Sequence, residues 1–192
     1  EPQDSSLPAA SGIINPKTKH SGYPYRDLAG VGVAYKFAQG LTGSLLVDDL
    51  DLVTLGTIAD SVPLTGENRI IAKEGLYRLP RTKRLGLRAI IENAGIENKK
   101  FNSTYVSFII APRLNAPGRM ANAEVSLKLL MSQDAQEAQN LSKELEKFNR
   151  ERQKIESKIL EEAEELINHQ VNFKDHKVIV IAKEDWHQGV LG

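Results

Sequence analysis

A lone carboxylate ends the mostly apolar stretch LGTIAD, residues 55–60. Because the apolar VPL of residues 62–64 follows almost at once, Asp60 is a charge in a segment that looks destined for a core. A buried charge is costly unless it is paired, hydrogen-bonded or bound to a cation. Carboxylate oxygen is a ligand that Mg²⁺ and Mn²⁺ favour. Asp60 is therefore a candidate metal ligand or one end of a buried ion pair, and we expect its side chain to face away from bulk solvent.

Three further carboxylates, Asp48, Asp49 and Asp51, precede Asp60 by about a helix length. They could join it at a metal, but they fall before or on the helix that Asp60 ends. Acidic residues stabilise the first turn of a helix and cap its free amides. We therefore expect them to act as caps.

Two arginines and an asparagine flank a stretch of small residues in APRLNAPGRM, residues 111–120. The predicted turn at residues 116–118 would leave Arg113, Asn115 and Arg119 around it. Guanidinium groups form forked bonds to phosphate oxygens, and a glycine lets backbone approach a ligand closely. The pattern is that of an anion clamp, although an arginine that ties the turn to a neighbouring carboxylate fits the local chemistry equally well.

A second candidate phosphate contact is His187, in the segment DWHQGVLG of residues 185–192. It follows a strand-like run and precedes two glycines, a position in which phosphate-binding loops often lie. Neither His187 nor any other histidine has a partner at metal-ligand spacing, so a histidine metal site is not predicted.

Helical periodicity predicts the elements that position these residues. Residues 1–30 are rich in Pro, Gly and Ser and predict irregular, turn-laden structure. Beyond them, apolar residues recur at helical spacing, and Asp60 falls at a helix C-terminus. Helices are predicted within the stretches 29–41, 48–60, 67–79 and 85–96, and the last of these helices ends at Gly95. A further helix is capped by Thr104 and interrupted by Pro112.

One long amphipathic helix is predicted from about Ala135 to Asn168, and it would span about 50 Å. Its apolar residues recur in steps of three and four, and Glu146 and Arg150 form an i,i+4 pair on its polar side. Periodicity alone leaves two interpretations open, a coiled-coil arm and a rigid strut between domains. The apolar positions are Leu141, Leu145, Phe148, Ile155, Ile159 and Leu166.

The β-branched run VIVIA, residues 178–182, predicts a buried strand that opens an α/β unit. The predicted architecture is thus a mostly α-helical region, a long helix and the first strand of a further domain. The fold class of the longer protein would be α/β. The start without Met and the end close behind a strand lead us to expect a piece of a longer protein.

Composition narrows the function classes. The 192 residues are 41% hydrophobic and contain no cysteine, which excludes disulfides and thiolate metal sites and suits a reducing compartment such as the cytoplasm. No segment resembles a membrane span or a secretory signal. The formal net charge is zero, but RLPRTKRLGLR, residues 78–88, carries five basic residues and no acid. Such a run suits a polyanion, and a merely solvated surface is an equally good interpretation.

The common nucleotide motifs GxGxxG, GxxxxGK[ST] and GxSxG are absent from the sequence, which disfavours the classical cofactor enzymes.

Five stretches together resemble the RecJ branch of the DHH phosphoesterase superfamily, in order and in spacing. GTIAD is shared by wider DHH relatives, whereas PRLNAPGRM is close to diagnostic of the RecJ branch. The resemblance runs over nearly the whole chain. The stretches are LAGVGVAYKF, DLVTLGTIADSVPLTGENR, FIIAPRLNAPGRM, LEKFNRERQKIE and DWHQGVLG.

The resemblance implies a 5′ to 3′ exonuclease, a hydrolase that releases mononucleotides from single-stranded DNA in DNA repair and recombination. It implies a two-metal site for Mn²⁺ or Mg²⁺, in which paired metals activate a water and offset charge on the phosphate. Single-stranded DNA would be the partner, with single-strand-binding protein a further one. The longer protein is expected to be cytoplasmic, monomeric and free of membrane contacts.

Residue by residue, the resemblance matches Asp60 to the metal-binding aspartate of the family. Arg113, Asn115 and Arg119 match the loop near the scissile phosphate. It assigns residues 1–131 to the C-terminal part of a DHH catalytic domain, 132–170 to a connector helix and 171–192 to the start of a DHHA1-like substrate-binding domain. The Asp-His-His triplet of the family is absent from the sequence, so most metal ligands are expected before residue 1, and we expect this chain alone to be inactive.

Two alternatives stand beside this interpretation. The first is a DHH-family phosphoesterase that acts on short oligoribonucleotides or cyclic dinucleotides. The second is a non-enzymatic interaction module that uses the long helix as a coiled coil. The long helix and the arginine-rich segment favour handling of a polymer.

Overall fold

The computed structural model describes residues 9–19, 21–171 and 177–191. These residues are mostly helical and contain no strand. No helix among them is long and apolar enough to cross a membrane. The helices are α1 Gly30–Thr42, α2 Leu50–Ala59, α3 Gly66–Arg78, α4 Leu85–Asn93, α5 Ser103–Tyr105, α6 Ala111–Met120, α7 Glu124–Met131 and α8 Ala135–Gln170, with a π-helix at Val106–Ile110 between α5 and α6.

The chain divides into two compact units. The first contains the described residues up to Lys83 together with Ile90–Ala111, and the second contains Arg84–Ala89 and the described residues from Pro112 onward. The predicted domain boundaries at residues 131 and 170 concern the longer protein and stay a prediction.

In the first unit, α2 and α3 pack closely against each other, and α1 packs on α2. The core there joins Leu28 and Tyr35 to Val53 of α2 and Ile71 of α3. The helices can approach so closely because α3 carries glycine at position 75, where a Cβ would overlap the Thr54 hydroxyl oxygen. That hydroxyl donates to the carbonyl oxygen of Ile71 at 2.8 Å, so the contact is both tight and hydrogen-bonded.

In the second unit, α7 packs on the N-terminal half of α8. Leu129 of α7 and Leu145 of α8 are fully buried. At the start of α8, the Asp134 side chain accepts a 2.7 Å hydrogen bond from the backbone N–H of Glu137, which satisfies one of the free amides of the first turn. The 36 residues of α8 correspond to about 54 Å, so the predicted long helix is confirmed.

The prediction of a mostly helical fold is confirmed, and three of its local features are corrected. Residues 178–182 form no strand, and Val178 and Val180 are 76% and 86% exposed. A strand needs a neighbour to satisfy its backbone groups, and the described residues supply none. The cap of α5 is Asn102, whose side chain accepts from Tyr105 N–H, and not Thr104.

The predicted turn at residues 116–118 is also wrong, because α6 is helical from Ala111 to Met120 with Pro117 inside it. Pro112 is the second residue of α6 and follows directly on the π-helix Val106–Ile110, within a helical run that is unbroken from residue 103 to residue 120. Ala116 and Pro117 are almost completely buried. Burial of these side chains stabilises a helix that local propensity disfavours.

Candidate metal ligand and phosphate-binding residues

Asp60 lies at the C-cap of α2, and its backbone N–H donates to the Gly56 carbonyl at 2.9 Å. Its side chain is exposed, so the expectation that it faces away from solvent is wrong. Directly after it, Ser61 adopts a positive φ of 54°, the left-handed conformation that commonly ends a helix. Within the described part of the chain, no hydrogen bond or ion pair reaches the Asp60 carboxylate.

The buried carboxylate of this helix is Asp51, which is 3% exposed. It accepts a 2.5 Å hydrogen bond from the Thr82 hydroxyl and a 2.7 Å bond from the backbone N–H of Leu52. It therefore ties the start of α2 to the turn after α3. Sequence reasoning treated Asp51 as a cap and missed its burial. Helical spacing could have predicted this burial, because Thr54 and Ile58 lie three and seven residues after Asp51, on the face that the helix buries.

Asp48 and Asp49 lie near the start of α2, as expected, but they do not cap it. Asp49 is the N-cap residue of α2, but its side chain makes no capping hydrogen bond. Asp48 is 86% exposed and lies 3.5 Å from the Lys83 ammonium. Neither carboxylate joins Asp60, and the described residues contain no group of three His, Cys, Asp or Glu that could hold a metal ion. Asp60 is thus a single donor and not a metal site by itself.

The helix α6 separates the three residues of the predicted anion clamp. Asn115 and Arg119 lie four residues apart on one face and are both exposed. Arg113 points elsewhere, since its Nε donates to a Glu146 carboxylate oxygen at 2.8 Å and its side chain is only 18% exposed. Glu146 also accepts from Arg150 at 2.9 Å, so the predicted i,i+4 pair is formed. The alternative of an arginine tied to a carboxylate therefore applies to Arg113.

The structure brings Arg119 and His187 together, although they are far apart in sequence. An Nη1 of Arg119 donates to the Gly189 carbonyl at 3.0 Å. A Cβ at Gly189 would overlap the carbonyl oxygen of Arg119, so only glycine allows this approach. The neighbouring His187 has a buried Nδ1 with no hydrogen-bond partner among the described residues. Two predicted phosphate contacts, Arg119 and His187, thus share one region of the second unit.

A residue that the sequence did not single out, Glu162 of α8, holds this C-terminal segment in place. One oxygen of its carboxylate accepts from Lys183 Nζ at 2.8 Å and from the indole N–H of Trp186 at 2.9 Å. The hydrogen bonds from Lys183 and then Trp186 hold the pKa of the Glu162 carboxyl below its ordinary value. The same contact with Glu162 raises the pKa of the Lys183 ammonium. Each partner is therefore favoured in its charged form.

Comparison with known proteins finds relatives of this chain by sequence and by structure. No family model matches it. Its relatives are named single-stranded-DNA-specific exonucleases, and the one from Bacillus subtilis (strain 168) is 47% identical over 186 residues, which is 97% of this chain and 23% of that protein.

These relatives carry the name RecJ, and the chain is similar to them in sequence and in fold. Crystal structures of RecJ from Thermus thermophilus, in complex with Mg²⁺ and with Mn²⁺, match it with TM-scores of 0.76 and 0.75 at 35% and 36% identity. The matches cover 89% and 88% of this chain and 27% and 25% of those chains. The chain therefore spans about a quarter of the length of these relatives. The family resemblance seen in the five sequence stretches is confirmed.

Proposed function

We propose that the chain is part of a metal-dependent 5′ to 3′ exonuclease that removes mononucleotides from single-stranded DNA. The observation that carries the proposal is the agreement of sequence and fold: 47% identity to the Bacillus subtilis protein over 97% of the chain, and a TM-score of 0.76 to RecJ in complex with Mg²⁺. The role in DNA repair and recombination, the cytoplasmic location, the monomeric state and the contact with single-strand-binding protein belong to the same proposal.

Asp60 is the one residue of this chain to which we assign a role in metal binding. Its exposed carboxylate is open to a cation whose other ligands come from outside this chain. The described residues do not make a complete site for a divalent ion, since they contain no cluster of three suitable ligands. We therefore assign no hydrolytic step to this chain by itself and expect it to be inactive when isolated.

The phosphate contacts in the proposal lie in the second unit. Asn115 and Arg119 are exposed on one face of α6, and His187 lies beside the Arg119 contact to Gly189. An arginine that already holds a backbone carbonyl is oriented for a second, forked bond to a phosphate oxygen. Arg113 is the weakest member of the set, because its Nε already donates to Glu146.

The test uses the longer protein with Mn²⁺ and a 5′-labelled single strand. We expect release of mononucleotides from the single strand and little from a duplex. Asp60→Ala should abolish turnover and leave the fold intact, whereas Asp48→Ala, which removes another exposed carboxylate just before α2, should leave turnover unchanged. Equal cleavage of duplex, or full activity of Asp60→Ala, would contradict the proposal.

A competition experiment separates the substrate classes. If short oligoribonucleotides or cyclic dinucleotides displaced long single strands at equal concentration, the substrate would be the small molecule and not the polymer. We expect the long strand to bind more tightly, because several of its backbone phosphates can contact basic groups of the protein at once.

A further inference from the structure

A concave surface of the first unit combines basic and aromatic side chains, and the proposed function does not use it. Its volume is about 570 Å³, and we call it the basic groove. No aspartate or glutamate is among its lining residues. Its basic and aromatic side chains are Lys73, Tyr77, Arg81, Lys99, Lys100 and Phe101.

One wall of the basic groove is a ladder along a single helix face. Lys73, Tyr77 and Arg81 follow one another at intervals of four residues along α3 and the 3₁₀ turn Leu79–Arg81 that continues it. The other wall is the segment after α4, where Lys99 and Lys100 are exposed. Phe101 is 9% exposed and packs on Tyr105 with ring centroids 5.8 Å apart, so the side chain next to the two lysines is fixed.

The cations of the basic groove are not neutralised by carboxylates of the described residues. Two neighbouring basic residues outside the groove do pair with carboxylates. Arg78 pairs with Glu74 at 2.7 Å, and Lys83 lies 3.5 Å from Asp48. In contrast, Lys73, Lys99 and Lys100 form no ion pair within the described ranges. Uncompensated positive charge in a concave surface attracts a polyanion.

The aromatic part of the basic groove adds a second recognition element. Tyr77 is 65% exposed, and the Arg81 guanidinium lies over its ring at 4.7 Å from the centroid. The Arg81 Nη1 also donates to the Tyr77 carbonyl at 3.0 Å, which holds the two planes together. An exposed ring and a guanidinium plane are surfaces on which a nucleic-acid base stacks.

We propose that the basic groove binds a single-stranded nucleic acid, with the lysines on its phosphates and Tyr77 under one base. A duplex would meet the lysines but could not offer an unstacked base to the ring. The choice of ligand rests on the proposed function. The test does not, because it measures binding without cleavage.

The experiment measures fluorescence anisotropy of a labelled thymidine homopolymer with the 192-residue chain in the presence of a chelator. Lys99→Ala/Lys100→Ala should weaken binding about tenfold at low salt and reduce the slope of log affinity against log salt by about 1.4, that is about 0.7 for each lost phosphate contact. Tyr77→Ala should weaken binding by about tenfold with little change in that slope. Lys73→Ala is a second charge variant on the opposite wall.

The matched control is Lys143→Ala/Lys147→Ala on α8, which removes the same charge from exposed positions that lie beside Glu144 and Glu151. It should leave the affinity unchanged. Far-UV circular dichroism and the emission of Trp186 should be the same in all variants, since the altered side chains are exposed.

Each outcome decides the proposal. Absence of binding by the chain, or equal affinity of the groove and control variants, overturns it. Equal binding of duplex and single strand with no effect of Tyr77→Ala also overturns it, because the groove would then be a charge patch without base recognition. An inactive longer protein would contradict the proposed function and leave these binding results as they are.

Discussion

The two units of the chain are stabilised in different ways. In the first, α2 and α3 meet without a side chain at Gly75, and polar groups such as Thr54 and Asp51 are buried and hydrogen-bonded. In the second, α8 carries successive i,i+4 ion pairs, including Glu146–Arg150 at 2.9 Å and Lys158–Glu162 at 3.8 Å, whose basic side chains are 76% and 77% exposed. In a closely packed contact a single residue can contribute several kcal/mol to the free energy of unfolding, whereas each exposed ion pair contributes about 1 kcal/mol or less. Substitutions in the two units should therefore differ in effect.

The largest effect is expected from Gly75→Ala in the first unit. The added Cβ would lie 2.5 Å from the backbone carbonyl oxygen of Leu50, which cannot rotate away, so α3 must move off α2. We expect the free energy of unfolding to fall by about 3 kcal/mol, measured by urea denaturation. The matched change Gly40→Ala in α1, where nothing lies within 4 Å of the new Cβ, should raise stability by up to about 1 kcal/mol. Equal effects of the two changes would show that the α2–α3 contact is not tight.

Asp51→Ala tests the buried hydrogen bond of the first unit. It removes a carboxylate that is 3% exposed and leaves the Thr82 hydroxyl without this acceptor. We expect a loss of about 2 kcal/mol, because hydrogen bonds to charged groups contribute more than neutral ones. Asp48→Ala, which removes a carboxylate that is 86% exposed, should change stability by less than about 0.5 kcal/mol. A similar result for both would mean that burial of Asp51 does not matter to the fold.

Glu146 allows the same comparison within the second unit, since it binds one partly buried and one exposed arginine. Arg113 is 18% exposed and Arg150 is 76% exposed, at nearly equal distances of 2.8 and 2.9 Å. We expect Arg113→Ala to cost about 1.5 kcal/mol and Arg150→Ala less than about 0.5 kcal/mol in urea denaturation. If Arg150→Ala cost as much as Arg113→Ala or more, burial would not set the strength of these pairs.

Helices α1 to α4 and α8 were predictable because apolar residues recur there at helical spacing. α6 was missed as a helix because Pro112 and Pro117 are local signals for a turn, and the burial of Ala116 and Pro117 that overrides them is a tertiary effect. Helix α7 was not predicted either. The residues 178–182 were predicted as a strand from β-branched composition, but pairing depends on a neighbour that composition does not specify.

The candidate site shows the same limit. The sequence placed Asp60 correctly at the end of α2, but it did not predict that the Asp60 side chain is exposed. The pairing of Arg113 with Glu146 joins residues 33 positions apart, and the contact of Arg119 with Gly189 joins residues 70 apart. Local chemistry named the residues that could bind phosphate. Only the fold shows which of them are already engaged.

The smallest effect on stability is expected from Glu162→Gln, but it has a specific spectroscopic signature. Trp186 is the single tryptophan, and its indole N–H donates to Glu162. Because the folded pKa of Glu162 is lowered, the contact is complete above the ordinary value of 4.5 and is lost as pH falls through the lower folded value. The emission of Trp186 should therefore shift to longer wavelength on acidification below pH 4.5.

In Glu162→Gln the side chain cannot titrate, so this acid-induced shift of Trp186 emission should disappear while the urea midpoint stays nearly unchanged. Glu161→Gln, an exposed neighbour on the same helix, should keep the shift. A shift of equal size in Glu162→Gln would mean that another group controls the surroundings of Trp186. Loss of the shift in Glu162→Gln alone would show that a partly exposed ion pair, which contributes little to the stability of the second unit, still fixes the position of the segment that carries His187.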